Sequence, residues 1–242
     1  FRRVLFRSVR LHTLESRLLG GGEAFADELS LTAHDIGDPR WDVKARARKD
    51  GSYDASGSYR RDRYHYLASG DYHRVDRDSK AQDYGGELYL DRDLRVFGSF
   101  ARSNDEGFWL TQRIGNRAVN VQSYVDGVSS PRDYDSDTST LGMAGLLAGW
   151  KWTIAGDYLD EHGLDRWNYE QPAPANPAFV ESEDFATRTS LRGPGGRVAV
   201  SRDFDDLSID LTARYVDHSR GLGADGQSQG FDVAQFSTLT EA

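Results

Sequence analysis

The sequence predicts an all-β fold: an antiparallel, up-and-down transmembrane β-barrel, present as a partial, open fragment of about ten strands from a larger barrel. Three observations predict it. Apolar and polar residues alternate with a period of two in run after run. Tight turns alternate with long polar connections, and aromatic residues gather at the ends of the apolar rows.

Composition narrows the field before pattern does. Among 242 residues there is no Cys, which removes disulfide frameworks, thiolate metal sites and covalent haem attachment. Lys and Arg number 30 against 39 Asp and Glu, a net charge of −9 with no basic run, so a nucleic-acid partner is not expected. The longest stretch free of charged and strongly polar residues, Leu141 to Trp150, is half the ~20 residues that a spanning helix needs. A hydrophobic content of 38% with 25 Gly suits a disordered chain, a polar soluble β protein or a membrane β-barrel. Pattern decides among them.

Residues 1–8, Phe-Arg-Arg-Val-Leu-Phe-Arg-Ser, resemble a translated sequencing adapter, and residues 9–28 form an N-terminal segment in which Val9 to Leu19 could be helical. The barrel is assigned to residues 29–242. Its last residues, from Phe236, read as a strand cut short, so the chain is expected to be an internal fragment of a metagenomic gene.

The first hairpin sets Trp41, Val43, Ala45 and Ala47 against Asp42, Lys44, Arg46 and Arg48. Asp50-Gly51 then turns the chain, a pair in which both residues tolerate positive φ. Tyr53, Ala55, Gly57 and Tyr59 return opposite Asp54, Ser56, Ser58 and Arg60. In the second hairpin Tyr84, Gly86, Leu88 and Leu90 lead to Asp91-Arg92-Asp93, and Leu94, Val96, Gly98 and Phe100 lead back. The third runs from Leu141 through Ala148-Gly149 to Trp150, Trp152, Ile154, Gly156 and Tyr158. The fourth pairs Val198 and Val200 with Leu207, Ile209, Leu211, Ala213 and Tyr215 across Asp205-Asp206. Each run is near the length a tilted strand needs to cross a bilayer.

Long loops are expected near 61–80, 103–138, 159–197 and 217–229, all on the side opposite the tight turns. Bacterial outer-membrane barrels have this asymmetry, whereas both ends of a soluble sandwich meet the same solvent. One face is then assigned to lipid and its interfaces: Trp41, Val43, Tyr59, Leu88, Leu90, Val96, Phe100, Trp150, Trp152, Ile154, Tyr158, Leu207, Ile209, Leu211 and Tyr215. The other is assigned to a wet lumen: Lys44, Arg46, Arg48, Asp54, Asp83, Glu87, Arg95, Lys151, Asp157, Asp210 and Arg214. Aromatic residues also suit strands of any kind, so their placement alone does not decide the matter.

Motifs with chemical overtones dissolve on inspection. Asp133-x-Asp135-x-Asp137 opens like a calcium loop, but Thr138 stands where Gly is required and Ala144 where Glu is expected. Gly221-x-Gly223-x-x-Gly226 has dinucleotide spacing without a βαβ unit and reads as a flexible loop. His65 and His73 share a segment with Asp71, Asp76 and Asp78, where solvated residues are the simpler reading than a metal site. Asp217, His218 and Ser219 are adjacent, and neighbours on a strand point apart, poor geometry for a nucleophile and its base. No catalytic, cofactor-binding or metal-binding residue is assigned.

Three stretches carry a resemblance: Gly37 to Lys44, Tyr59 to Tyr66, and Glu87-Leu88-Tyr89 on to Val96 through Arg102. They resemble strands of the decahaem-associated outer-membrane β-barrel family (MtrB/PioB-like), and the similarity extends over residues 29–158. That resemblance implies a large barrel in the bacterial outer membrane that sheathes a periplasmic multihaem c-type cytochrome and lets electrons cross. It implies that haem belongs to the partner alone and that the barrel is not an enzyme. The near-balanced lumen charges agree with a protein occupant better than with an ion-selective constriction. Two other readings stay open: a solute-diffusion porin or receptor barrel, and a soluble β-rich carbohydrate-binding protein with Trp109 and Trp167 as stacking platforms.

Overall fold

A computed structural model of the chain describes residues 10–21, 24–67, 74–115, 124–173, 176–204, 207–229 and 234–241. Side chains are described for 10–21, 24–65, 76–107, 132–166, 186–204 and 207–225. Every regular element among them is a strand: β1 (Leu11–Leu19), β2 (Glu28–Ile36), β3 (Arg40–Lys49), β4 (Tyr53–Leu67), β5 (Arg74–Asp91), β6 (Leu94–Gly115), β7 (Tyr124–Leu147), β8 (Trp150–Ala173), β9 (Asn176–Asp203), β10 (Ser208–Val216), β11 (Ser219–Gln229) and β12 (Ala234–Glu241). They form one antiparallel, up-and-down sheet in chain order. No β1–β12 pairing closes it, so these two strands are its edges.

β10 and β11 both pair with β9 and together fill one position in the sheet. Gly195 pairs with Val216 and Arg192 with Ser219, so the register is unchanged across the break. The break itself has a local cause. Pro194 has no N–H to give to the ladder, its carbonyl instead accepts the Asp217 N–H at 3.0 Å, and Gly193 sits at φ +154° with no room for a side chain beside the Asp217 carbonyl.

Three expectations are corrected. The long loops near 61–80, 103–138, 159–197 and 217–229 are largely strand: β4 and β5 run to within a few residues of each other, as do β6 and β7, and β8 and β9, while β11 occupies 219–229. Gly221 and Gly223 therefore lie in a strand, not in a flexible loop. Alternation of hydropathy marks a strand only while one face is apolar. Beyond Tyr59 both faces become polar, so the signal fades although the ladder continues through Arg61↔Lys80 and Arg63↔Asp78. Leu11 to Leu19 is a strand, held by eight-residue pairing with β2, and not a helix. Third, at Asp50-Gly51 only Gly51 takes positive φ (69°); the turn with both central residues left-handed is Ala148-Gly149, at 51° and 80°.

The sheet is a single layer, and its strands contact their sheet neighbours. No large side chain among the described residues is fully buried, and the buried apolar positions are Ala26, Ala33, Ala144 and Ala155. Among the described residues there is no hydrophobic core. Backbone pairing and cross-strand side-chain contacts hold the molecule, including rings laid across opposing glycines: Tyr84 on Gly57, Phe97 on Gly142 and Trp152 on Gly145.

Candidate functional surface

Residues paired directly across antiparallel strands share a face, so register alone assigns every described side chain to one of two surfaces. Following the pairs outward from Val43 and Leu88 gathers Trp41, Val43, Tyr59, Leu88, Val96, Phe100, Trp152, Ile154, Tyr158, Ile209, Leu211 and Tyr215 on one face. Trp150 pairs with Leu147 on it, Leu90 follows by alternation, and Leu207 continues the row of β10 next to the turn. β2 adds Leu29 and Leu31, which the sequence reading left out. Nothing described covers this face: Leu88 is 50% exposed, Ile154 54% and Leu211 64%.

The apolar rows end at similar heights on successive strands. Toward the tight turns stand Trp150 and Trp152, with Phe204 edge-on to Trp150 at 6.3 Å between ring centroids and Arg202 over both rings. Toward the other end stand Tyr84, Phe100, Tyr158 and Tyr215, with the Tyr59 ring tilted against Trp41 at 5.0 Å between centroids. Trp150 and Tyr158 are eight steps apart on β8, about 26 Å along a strand and about 20 Å across a sheet tilted by ~40°.

Beyond the aromatic row the same face becomes charged, and this sequence reasoning missed because it placed these residues in loops. Arg61 donates from Nε to Asp78 Oδ1 at 2.8 Å and through its second nitrogen to Oδ2, while Arg63 Nε donates to Oδ2 at 3.2 Å. Lys80 Nζ donates to Glu106 at 2.9 Å, Arg102 Nε to Asp137 at 2.7 Å, and Asn104 to Asp135 at 2.9 Å. Hydrogen bonds from Arg61 hold the Asp78 carboxyl down to about 2, against the opposing effect of partial burial, with Arg63 adding to the shift. The bond to Glu106 raises the Lys80 ammonium above its ordinary value.

The opposite face carries Lys44, Arg46, Arg48, Asp54, Asp83, Glu87, Arg95, Lys151, Asp157, Asp210 and Arg214. Several of its charges pair within the wall. Arg46 Nε donates to Asp54 at 2.8 Å, Arg95 to Glu87 at 2.9 Å, Lys151 to Asp203 at 2.9 Å and Ser58 to Asp83 at 3.2 Å. Farther from the turns, Arg77 holds Asp105 through two bonds of 2.7 and 3.0 Å. Phe97 and Tyr89 also lie on this face, set against Gly142 and Glu87.

The weaker motifs are not drawn together. Asp133, Asp135 and Asp137 lie along β7 on the charged extension of the apolar face, not in a loop. His65 is 3.7 Å from Asp76, whereas Asp78 belongs to the arginines. Tyr215 donates to Asp217 at 3.1 Å, and Ser219 begins β11 beyond the break. Among the described residues the one cluster with metal-ligand geometry is His12, Asp35 and Asp38 near the β2–β3 turn, the first two exposed and Asp38 half-buried, 3.0 Å from Arg10. Asp71 and His73 lie outside the described residues, and the side chains of Trp109 and Trp167 lie outside those described.

No protein-family model matches the chain, and no curated relative matches it. The fold and surface define an all-β, antiparallel up-and-down sheet with one apolar and one polar face.

Proposed function

We propose that the chain is part of the wall of a bacterial outer-membrane β-barrel, with its apolar face against lipid and its polar face lining a wet lumen. One observation carries this reading: an uncovered apolar belt crosses successive strands at matching heights, bounded by an aromatic row at the far end and by Trp150, Trp152 and Phe204 toward the tight turns. In water such a belt would expose a contiguous apolar patch with no compensating layer. In hydrocarbon it is the surface a barrel requires, and closure by further strands at β1 and β12 would satisfy the remaining backbone groups.

Within that class, the barrel sheathes a periplasmic multihaem c-type cytochrome and conducts no chemistry itself, holding neither haem nor metal. The resemblance noted above supports this choice, as does an inner wall that carries charges of both signs, a surface suited to hydrogen bonding with an inserted protein. The test is to isolate outer membranes from cells expressing the gene and its neighbours, and to purify the barrel in detergent. Co-purification of c-type haem with electron transfer into sealed vesicles is the expected result. Ion conductance with no haem would replace the sheath by an open pore, and recovery without detergent would overturn the membrane assignment.

A further inference from the structure

We infer that the outward face of β3–β5, just beyond the aromatic row, binds the phosphorylated headgroup of a glycolipid in the outer leaflet. This rests on the membrane reading above and goes beyond it by naming a ligand and its residues. Trp41 and Tyr59 form a tilted ring pair, 5.0 Å between centroids, and Arg61 lies directly across from Trp41 in the register. Lys80 is opposite Arg61, and Arg63 is two residues farther along β4. The three cations face two carboxylates, Asp78 and Glu106, in a chain whose net charge is −9. With Asp76 on the same face two residues beyond Asp78, the cluster is balanced, whereas the chain as a whole is acidic.

Height and chemistry select the occupant. Arg61 is two steps beyond Tyr59, about 7 Å along the strand, where headgroups begin if the rings mark the interface. The side chains of Arg63 and Lys80 are 59% and 30% exposed, leaving N–H groups for an incoming anion. Guanidinium groups match phosphate oxygens in pairs, and the Trp41 ring beside Arg61 with the Tyr59 ring below it offers an apolar shelf to the sugar and acyl portion. A free phosphate ion would leave that shelf unused. Asp78 limits the site, since it occupies both arginines.

The test uses the full chain folded in detergent micelles, with bound lipid counted by native mass spectrometry. The probes are diphosphoryl lipid A, its dephosphorylated form and inorganic phosphate. Diphosphoryl lipid A should bind about tenfold tighter than the dephosphorylated form, and the triple change Arg61→Ala, Arg63→Ala, Lys80→Ala should abolish that preference. Asp78→Asn should strengthen binding by releasing the arginines, a gain that a misfolded variant would not give. Equal binding of the two lipids, or no gain in Asp78→Asn, would overturn the inference. Displacement of lipid by millimolar inorganic phosphate would overturn the choice of a headgroup. A protein that stays in the membrane fraction but ignores lipid phosphate defeats this inference alone, whereas one soluble without detergent defeats both readings.

Discussion

At Asp78 two guanidinium groups converge on one carboxylate and hold its carboxyl near 2, below the ordinary 3.8. A folded-state value below the unfolded one means the interaction stabilises the fold fully above the unfolded value and is lost as pH falls through the folded one. The stability difference between wild type and Asp78→Asn should therefore shrink from about pH 5 to about pH 2, measured by denaturant unfolding at each pH. Leu88 and Ser99 lie on opposite faces, both exposed. In lipid vesicles Leu88→Arg should cost about 2–4 kcal/mol and Ser99→Arg under about 1 kcal/mol. Equal costs would show that both faces meet water. Ala148, left-handed at φ 51°, strains a turn that prefers Asn-Gly; Ala148→Asn should stabilise the fold by about 0.5–1 kcal/mol in the same unfolding assay.

At the scale of the element, the β7–β8 hairpin shows how strand composition answers to its neighbours. Gly142 and Gly145 lie beneath Phe97 and Trp152, and any Cβ there would collide with the ring and with backbone. Gly142→Val and Gly145→Val should each cost about 1–3 kcal/mol. Gly85→Ser, with no atom nearer than 3.7 Å to an added Cβ, should be near neutral, and thermal unfolding compares all three. The hairpins were legible because Trp150, Trp152, Ile154 and Tyr158 alternate with polar residues over their whole belt. The continuation from Arg61 to Leu67 was not legible. Arg61, Arg63 and His65 alternate there with Asp62 and Tyr64, and polar residues on both faces leave no periodic contrast, though the pairing with β5 persists.

For the whole molecule, a single layer with no hydrophobic core among the described residues means stability rises with the number of paired neighbours. β1 and β12 have one neighbour each, while β8 is flanked by β7 from Trp150 to Asp165 and by β9 from Lys151 to Ala173. Amides of β1 and β12 should exchange with solvent fastest and those of β8 slowest, by hydrogen exchange read strand by strand. Edge strands also offer unpaired N–H and C=O groups, so the chain in detergent should form edge-to-edge oligomers that chemical cross-linking detects.

By itself the sequence determined an all-β antiparallel sheet, which belt residues share a face, and the positions of the tight turns. These depend on local periodicity and local backbone preference, both readable within a few residues. Only the tertiary structure decided how far the strands run, that β10 and β11 share one position, and which charges meet. Arg61 and Asp78 are 17 residues apart, and Arg102 and Asp137 are 35 apart. Such partners are set by register, which accumulates through every turn between them and leaves no mark at either residue.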